Sequence, residues 1–359
     1  MKSFFYICIM LFGLFLKPAM ATCAFTSDSP IQKEVIASIP LSVGNITAGA
    51  EIPNGTVLYR QTYRPGYSNA ATSCTDRIYD TQFLYTSTPK PLSSWNGSPY
   101  GGKVYETGVP GIGVAFWRSG DAFPKVFGGG CSGSSNCIIA NGLLTWDISL
   151  IKIGNITPGT ILGSNLPCMN ESLGNVNSPV SLLKACFSGT INVVSRTCTT
   201  PDVTVNMSKH DISVFRATGS TTEWVDASIK LTDCPVFYGT ADDGDKNSWS
   251  ENGTISIGAV TANKLGVTLT PNTSVLQSSN GVFALSESAD SASGIGIQLA
   301  YGTSASQTPV TFLQEKRYTM TLGSSGSVNI PLVARYIQTE SRAQPGKANS
   351  AVTFLISYY

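Results

Sequence analysis

Short stretches of alternating apolar and polar residues, separated by turn residues, run along most of this chain. In its first half they lie at Val35–Val43, Thr56–Tyr63, Thr81–Tyr85, Gly111–Trp117 and Leu143–Ile153. Side chains that alternate with a period of two point to opposite faces of a β-strand, and long helical periodicity is hard to find here. The pattern therefore predicts an all-β protein with many turns.

A second β-rich unit is predicted to begin at Cys198. Its strands are expected at Val203–Val205, Ala227–Leu231, Gly294–Leu299 and Ile330–Tyr336. Because 359 residues are enough for two ordinary domains, we expect one domain over residues 22–195 and a second over residues 196–359.

Residues 346–359 predict one more strand. Val352, Phe354, Ile356 and Tyr358 alternate in this segment and would share one face of the strand. No turn or partner strand follows, so one edge would keep unpaired N–H and C=O groups. We expect something outside this chain to cover that edge.

The first residues predict export from the cytoplasm. Lys2, the apolar run Phe4–Leu16 and the small residues of Ala19–Ala21 have the order of a secretory signal, and the run is too short to span a bilayer comfortably. We expect residues 1–21 to be a signal peptide. Acylation of Cys23 is the weaker alternative, because Thr22 stands where lipoprotein signals prefer a smaller residue.

Eight cysteines remain once Cys8 leaves with the signal. An even number in an exported chain implies disulfides, although eight cysteines allow 105 connectivities. The expected pairing is sequential: Cys23–Cys74, Cys131–Cys137, Cys168–Cys186 and Cys198–Cys234. No CxxC motif occurs, so neither a metal site nor any other cofactor is expected.

Charge and histidine content argue against two classes of function. The formal net charge is +1 and 13% of residues are charged, which is unlike the clustered basic surface of a nucleic-acid-binding protein. A catalytic triad would have to use His210, the only histidine, so an enzyme is not expected. Gly128–Gly130 lacks the Lys-Ser/Thr of a phosphate loop and predicts a flexible turn.

The C-terminal segment resembles the signature of chaperone–usher pilus subunits, which have a glycine fourteenth from the end and a penultimate aromatic residue. Gly346 and Tyr358 match both positions. The resemblance implies an incomplete immunoglobulin-like pilin domain that lacks its seventh strand. A periplasmic pilus chaperone, and later a β-strand donated by the adjacent pilin subunit, would fill the groove, with an outer-membrane usher assembling the fibre. Gly346, Val352, Phe354, Ile356 and Tyr358 would then serve these contacts.

The first half resembles the receptor-binding domains of fimbrial adhesins near the type-3 and long-polar branch, on the segments Val104–Val114 and Ile151–Gly154. This implies a lectin-like adhesin β-sandwich that binds a host glycan or an extracellular-matrix receptor. Cys23 follows the signal by one residue, so no donor strand is expected and the chain would sit at the fimbrium tip on the cell surface. The alternatives are a non-binding structural tip or initiator subunit and, more remotely, a secreted hydrolase.

Two clusters have the chemistry of sugar recognition, which joins an aromatic face to carboxylate or amide groups. The ligand-binding candidates are Asp76, Arg77, Tyr79 and Asp80 after Cys74, and Trp95, Asn96 and Tyr100 in a turn-rich segment. Trp117, Arg118 and Asp121 form a third cluster. In the competing interpretation the aromatic residues are core packing and the charges are solvated.

We also expect residues 22–195 to contain all their own strands and to fold alone.

Overall fold

The computed structural model describes residues 23–359 apart from 68, 76, 133–135, 141, 176–177, 196 and 243–245. The expected signal peptide therefore lies outside the described residues. The described part is built from β-strands and three short 3-10 helices, and none of its helices is long and apolar enough to cross a membrane. The prediction of an all-β protein is confirmed.

The strands of the first half are short and follow one another through turns. In chain order they are β1 (Cys23–Phe25), β2 (Val35–Pro40), β3 (Asn45–Thr47), β4 (Val57–Tyr63), β5 (Thr72–Cys74), β6 (Ile78–Ser87), β7 (Tyr105–Glu106), β8 (Ile112–Arg118), β9 (Asp121–Ala122), β10 (Lys125–Gly130), β11 (Cys137–Ile139), β12 (Trp146–Lys152), β13 (Gly159–Leu162), β14 (Cys168–Asn175), β15 (Ser178–Ser188) and β16 (Thr190–Val194).

The second half continues in the same manner. Its strands are β17 (Val225–Asp226), β18 (Ile229–Cys234), β19 (Ser248–Trp249), β20 (Ile255–Ser256), β21 (Lys264–Pro271), β22 (Val275–Gln277), β23 (Val282–Ala284), β24 (Ile295–Thr303), β25 (Ser306–Pro309), β26 (Lys316–Thr319), β27 (Gly326–Ile330), β28 (Leu332–Gln338) and β29 (Val352–Tyr358). The 3-10 helices of the described residues are Gly163–Asn165, Ile212–Val214 and Ser278–Asn280.

Two large sheets face each other in the N-terminal sandwich. One has the order β10-β6-β14-β15-β2 and the other the order β20-β19-β4-β12-β8-β7, with β9 beside β8. The rings of Phe116 in β8 and Phe187 in β15 meet across the core, 5.4 Å between centroids. Burying such a side chain stabilises the fold by about 1.5–3 kcal/mol. The smaller sheets β13-β16-β3 and β1-β5-β11 complete this half.

The C-terminal sandwich packs three sheets around a separate core. Their orders are β17-β28-β24-β23-β22 with β25 beside β24, then β26-β21-β29, and β18-β27. Leu231, Val267, Phe283 and Leu299 are among the buried residues of this core. The two cores confirm the prediction of two β-sandwich domains.

The disulfides follow the predicted sequential pairing. Cys23–Cys74, Cys131–Cys137 and Cys168–Cys186 lie in the first half and Cys198–Cys234 in the second. The last bridge has a sequence separation of 36, and in the loop-closure model a ring of that size contributes roughly 3–4 kcal/mol. None of the pairs joins the two halves, so the contacts between them are non-covalent.

Strands β19 and β20 of the second half extend a sheet of the first half. Strand β19 pairs in parallel with β4, with Ser248 opposite Thr62 and Trp249 opposite Tyr63, and β20 pairs with β19. Trp249 is only 9% exposed and belongs to the N-terminal core. The expectation that residues 22–195 contain all their own strands is therefore wrong, because the edge of β4 is covered by chain that follows Cys198.

A second contact between the halves centres on Thr47 in β3. Its N–H donates to the carbonyl of Gly239 at 2.9 Å, and its hydroxyl donates to the carbonyl of Val236 at 2.9 Å. Its own carbonyl accepts from Nδ2 of the buried Asn263 at 2.9 Å. These bonds fix the end of β3 against the C-terminal sandwich.

Two local predictions were wrong. Val203–Val205 forms no strand, because its extended backbone has no partner strand among the described residues. Gly128–Gly130 is not a turn but the end of β10, paired with β6. A side chain at Gly129 would collide with the Tyr79 ring, since a Cβ there would lie 2.5 Å from it. Glycine at this position thus permits close packing over an aromatic ring.

Trp249→Ala should destabilise the N-terminal sandwich, although the residue belongs to the second half. Truncating a buried aromatic side chain costs about 3–5 kcal/mol, and here the loss should release the edge of β4. Ile255→Ala in the same hairpin is the matched control, because Ile255 is 53% exposed. Hydrogen exchange of the Arg60 and Arg64 amides, which donate to the carbonyls of Ala241 and Trp249, would report the effect. Equal exchange in both variants would contradict the assignment of Trp249 to this core.

Candidate functional sites

Strand β29 has the predicted alternation of side chains. Val352, Phe354 and Ile356 are half-buried against the C-terminal core and Tyr358 is buried in it, whereas Leu355 between them is 62% exposed. Apolar residues at every second position therefore form one face of the strand, as expected.

Within the described part of the chain, β29 pairs with another strand along one edge only. It runs antiparallel to β21, and Lys264 and Tyr359 exchange both N–H···O bonds at 2.8 Å. Because hydrogen-bonded pairs alternate along an antiparallel ladder, Val352, Phe354 and Ile356 direct their N–H and C=O groups to the opposite edge. Among the described residues no strand pairs there. This edge can accept an added strand.

A cavity of about 400 Å³ lies beside that edge, and most of its lining side chains are apolar, with Asn206, Ser208, Asn349 and Ser350 among the polar ones. We call it the acceptor groove. Its apolar lining includes Val203, Val205, Met207, Ala227, Ile229, Leu269, Phe283, Ile297, Leu299, Leu332, Ala334, Tyr336, Val352 and Phe354. Side chains of this kind suit an extended segment that places an apolar residue in the groove at every second position.

Gly346 precedes β29 where two backbone segments touch. A Cβ at this position would lie 2.3 Å from the amide nitrogen of Ala292 and 2.5 Å from the carbonyl carbon of Ser291. The next residue, Lys347, donates its N–H to the carbonyl of Asp290 at 2.7 Å. Glycine is therefore needed for close backbone approach at the start of the segment that borders the acceptor groove.

A cluster of aromatic and charged side chains lies on the outward face of the sheet that contains β4, β12 and β8. Tyr100 stacks on Trp117 with 5.5 Å between ring centroids, and the Arg60 guanidinium lies 4.5 Å from the centroid of the Trp117 ring. Arg60 Nε also donates to Asp147 Oδ1 at 3.1 Å. We call these four residues the aromatic shelf.

Neighbouring polar groups hold the aromatic shelf in place. The Thr62 hydroxyl donates to Asp147 Oδ1 at 2.6 Å, and Trp117 Nε1 donates to Ser149 Oγ at 2.9 Å. Burial raises the pKa of Tyr100 to about 12, so its hydroxyl is a hydrogen-bond donor at neutral pH. The shelf thus offers stacked rings beside a fixed carboxylate, a guanidinium and a phenol.

Of the first predicted ligand cluster, Tyr79 and Asp80 lie in strand β6 of the five-stranded sheet. Asp76 lies outside the described residues. Arg77 is exposed, while the half-buried Tyr79 packs against the N-terminal core. Asp80 lies in β6 opposite Gly128. For Tyr79 the structure favours the packing interpretation over ligand binding.

The second predicted cluster is divided between packing and the aromatic shelf. Trp95 is half-buried, and its Nε1 donates to the carbonyl of Pro99 at 2.9 Å. This hydrogen bond stabilises the turn that contains Trp95. Asn96 is exposed at the same turn. Tyr100 reaches Trp117, a residue of the third cluster, whereas the Asp121 carboxylate of that cluster is paired with Lys125 at 3.1 Å.

Arg60 and Asp147 were missed by sequence analysis. They are 87 positions apart and belong to no local motif. Only the register of β4 with β12, which sets Thr62 opposite Asp147, brings them together. Within the described ranges, no three His, Cys, Asp or Glu side chains come together as metal ligands.

The chain matches two protein-family models. Residues 186–359 match the fimbrial protein family, and residues 39–165 match the MrkD-like receptor binding domain. A fimbrial subunit type 1 of Salmonella typhimurium is 26% identical over 188 residues, which are 50% of this chain and 86% of that protein.

Solved structures show similarity over most of the chain. The CupB6 tip adhesin from Pseudomonas aeruginosa is 15% identical and covers 94% of this chain and 94% of its own, with a TM-score of 0.36. CfaE, the adhesive subunit of CFA/I fimbria of enterotoxigenic Escherichia coli, is 11% identical over 89% of this chain and 92% of its own, with a TM-score of 0.24.

The two family models divide the chain as the two sandwiches do. The receptor-binding model falls on the half that carries the aromatic shelf, and the fimbrial model falls on the half that carries the acceptor groove. The chain therefore belongs to the receptor-binding fimbrial adhesins of the chaperone–usher class.

Proposed function

We propose that this adhesin stands at the fimbrium tip, binds a host receptor through the aromatic shelf and is held in the fibre by a strand inserted into the acceptor groove. The observation that carries the proposal is the edge of β29, where Val352, Phe354 and Ile356 present backbone groups beside an apolar groove. Such groups need a hydrogen-bonding partner, and an added strand supplies it.

The connection between the two halves supports the tip position. A subunit inside a fibre must donate a segment that precedes its own pilin domain. Here β16, which ends four positions before Cys198, pairs with β3 and β13 in the N-terminal sandwich. That segment is held in the N-terminal sheet, so it is not available to a neighbouring subunit.

Assembly would follow the route expected for the class. A periplasmic chaperone covers the edge of β29 after export, the outer-membrane usher receives the complex, and the adjacent pilin subunit then replaces the chaperone with its own strand. Covering the edge throughout assembly matters, because an exposed strand edge beside an apolar groove promotes aggregation.

The aromatic shelf has the chemistry for a host glycan. The faces of Tyr100 and Trp117 suit the C–H surface of a sugar ring, and the Asp147 carboxylate with the Arg60 guanidinium can hydrogen-bond hydroxyl groups in fixed directions. The side chain of Asp147 is only 10% exposed and that of Arg60 28%, so the guanidinium is the more accessible of the two. An extracellular-matrix receptor is the other class to test.

Phe354→Asp should prevent accumulation of the protein in the periplasm. The substitution places a carboxylate on the half-buried face of β29, where both packing and strand addition fail. Leu355→Asp is the matched control, because Leu355 is 62% exposed and points away from the groove. Co-expression with the cognate chaperone, followed by immunoblotting, should show loss of the first variant and normal amounts of the second. Equal accumulation of both, with chaperone co-purifying, would contradict the role of this face.

Trp117→Ala should weaken receptor binding about tenfold, since about 1.4 kcal/mol corresponds to a factor of ten in affinity. The full chain, complemented by a donor strand, would first be screened on glycan and matrix-protein arrays and then titrated with the receptor that binds. Trp224→Ala is the matched control, because Trp224 also packs under a guanidinium, that of Arg335 at 4.1 Å, but in the other half. Equal affinity of the two variants would rule out the aromatic shelf as the receptor site.

A further inference from the structure

One residue of the free edge of β29 is already paired, and its partner belongs to the other half. The N–H of Tyr358 donates to Glu51 Oε2 at 2.7 Å, and the N–H of Glu51 donates to the carbonyl of Tyr358 at 3.3 Å. Tyr358 follows Val352, Phe354 and Ile356 in the alternation of backbone directions. Glu51 therefore takes the next position along the edge that an incoming strand would use.

The loop that carries Glu51 is held rigidly from within the N-terminal sandwich. The buried Lys152, at the end of β12, directs Nζ to the carbonyls of Ala50 and Ile52, both at 2.6 Å. The loop also touches β29 directly, because a Cβ at Gly49 would lie 2.0 Å from the carbonyl oxygen of Tyr358. A loop fixed by an ammonium group and in backbone contact with β29 cannot move aside without breaking these bonds.

The side chain of Tyr358 is held by a hydrogen bond as well. Its hydroxyl accepts a hydrogen bond from the N–H of Cys198 at 3.0 Å, where the C-terminal half begins. Val352 and Phe354 line the acceptor groove, whereas Ile356 and Tyr358 do not. The groove is thus open beside the first part of β29 and ends before Tyr358.

We propose that Glu51 is an end stop for the acceptor groove. An incoming strand pairs with the backbone of Val352, Phe354 and Ile356 and stops before Tyr358, because Glu51 already holds that residue. The partner is an extended segment with apolar side chains at alternate positions, and the N-terminal half sets its register on β29. This inference rests on the proposed strand insertion and adds to it the residue that limits it.

The test uses the full oxidised chain and one synthetic probe, a Val-Thr-Val-Thr-Val-Thr-Val peptide with a lysine at each end. Amide hydrogen exchange is measured by NMR at the four residues Val352, Phe354, Ile356 and Tyr358. Without peptide, Tyr358 should be protected and the other three should exchange quickly. With peptide, those three should slow tenfold or more, and Tyr358 should not change.

Glu51→Ala removes the side-chain acceptor. Exchange at Tyr358 should then become at least tenfold faster without peptide, because its N–H has lost the carboxylate that accepts it. Glu51→Gln is the matched control, because its amide oxygen can still accept the Tyr358 N–H, and it should behave as the parent chain does. Thermal unfolding of each variant confirms that the fold is kept.

The outcomes separate the two hypotheses. A peptide that protects none of the three groove residues contradicts strand insertion, while the effect of Glu51→Ala on Tyr358 without peptide still tests the end stop. If the peptide protects the three residues but Tyr358 exchanges at the same rate in the parent and in Glu51→Ala, strand insertion stands and the end stop is overturned.

Discussion

The pairing of strand edges is the constraint on which the rest of this structure depends. A β-strand at the side of a sheet has a row of backbone donors and acceptors that must find partners. At β4 the partner comes from the same chain, because Ala241, Asn247 and Trp249 accept its N–H groups. At the edge of β29 that faces away from β21, the described part of the chain supplies a partner only for Tyr358. The first edge joins the two halves, and the second is left for another molecule.

Strand β12 connects the aromatic shelf to the loop of Glu51. Every residue in it is buried, yet Asp147, Ser149 and Lys152 are polar. Asp147 and Ser149 fix Arg60 and Trp117 in the aromatic shelf, and Lys152 holds the loop of Glu51. A buried polar group is tolerated only when it is hydrogen-bonded, and here the partners include Arg60 and Trp117 of the shelf and the loop that carries Glu51.

Local periodicity predicted the features that depend on a single segment of the chain. It did not predict the features that depend on how strands distant in sequence pair with each other. The strands around Val57–Tyr63 and Ile112–Arg118 and the alternating face of β29 follow from nearby residues, and all were predicted. The cysteine pairs were predicted as well, but from the sequential order of the cysteines. The pairing of β19 with β4 was missed because Ser248 and Thr62 are far apart in sequence and β19 has two residues. Of the shelf, Tyr100 and Trp117 were candidates, but Arg60 and Asp147 carry no local signal.

The contacts between the two halves have a mechanical consequence for an adhesin. A load applied at the aromatic shelf enters β4 and β12 and must cross to the C-terminal half before it reaches the donated strand. It crosses at separated places: β19 beside β4, Thr47 against Gly239 and Asn263, and Glu51 against Tyr358. Because these contacts are in parallel, no single hydrogen bond carries the whole load. The halves should move as one body, and a bound receptor would then pull on the donor strand through a rigid connection.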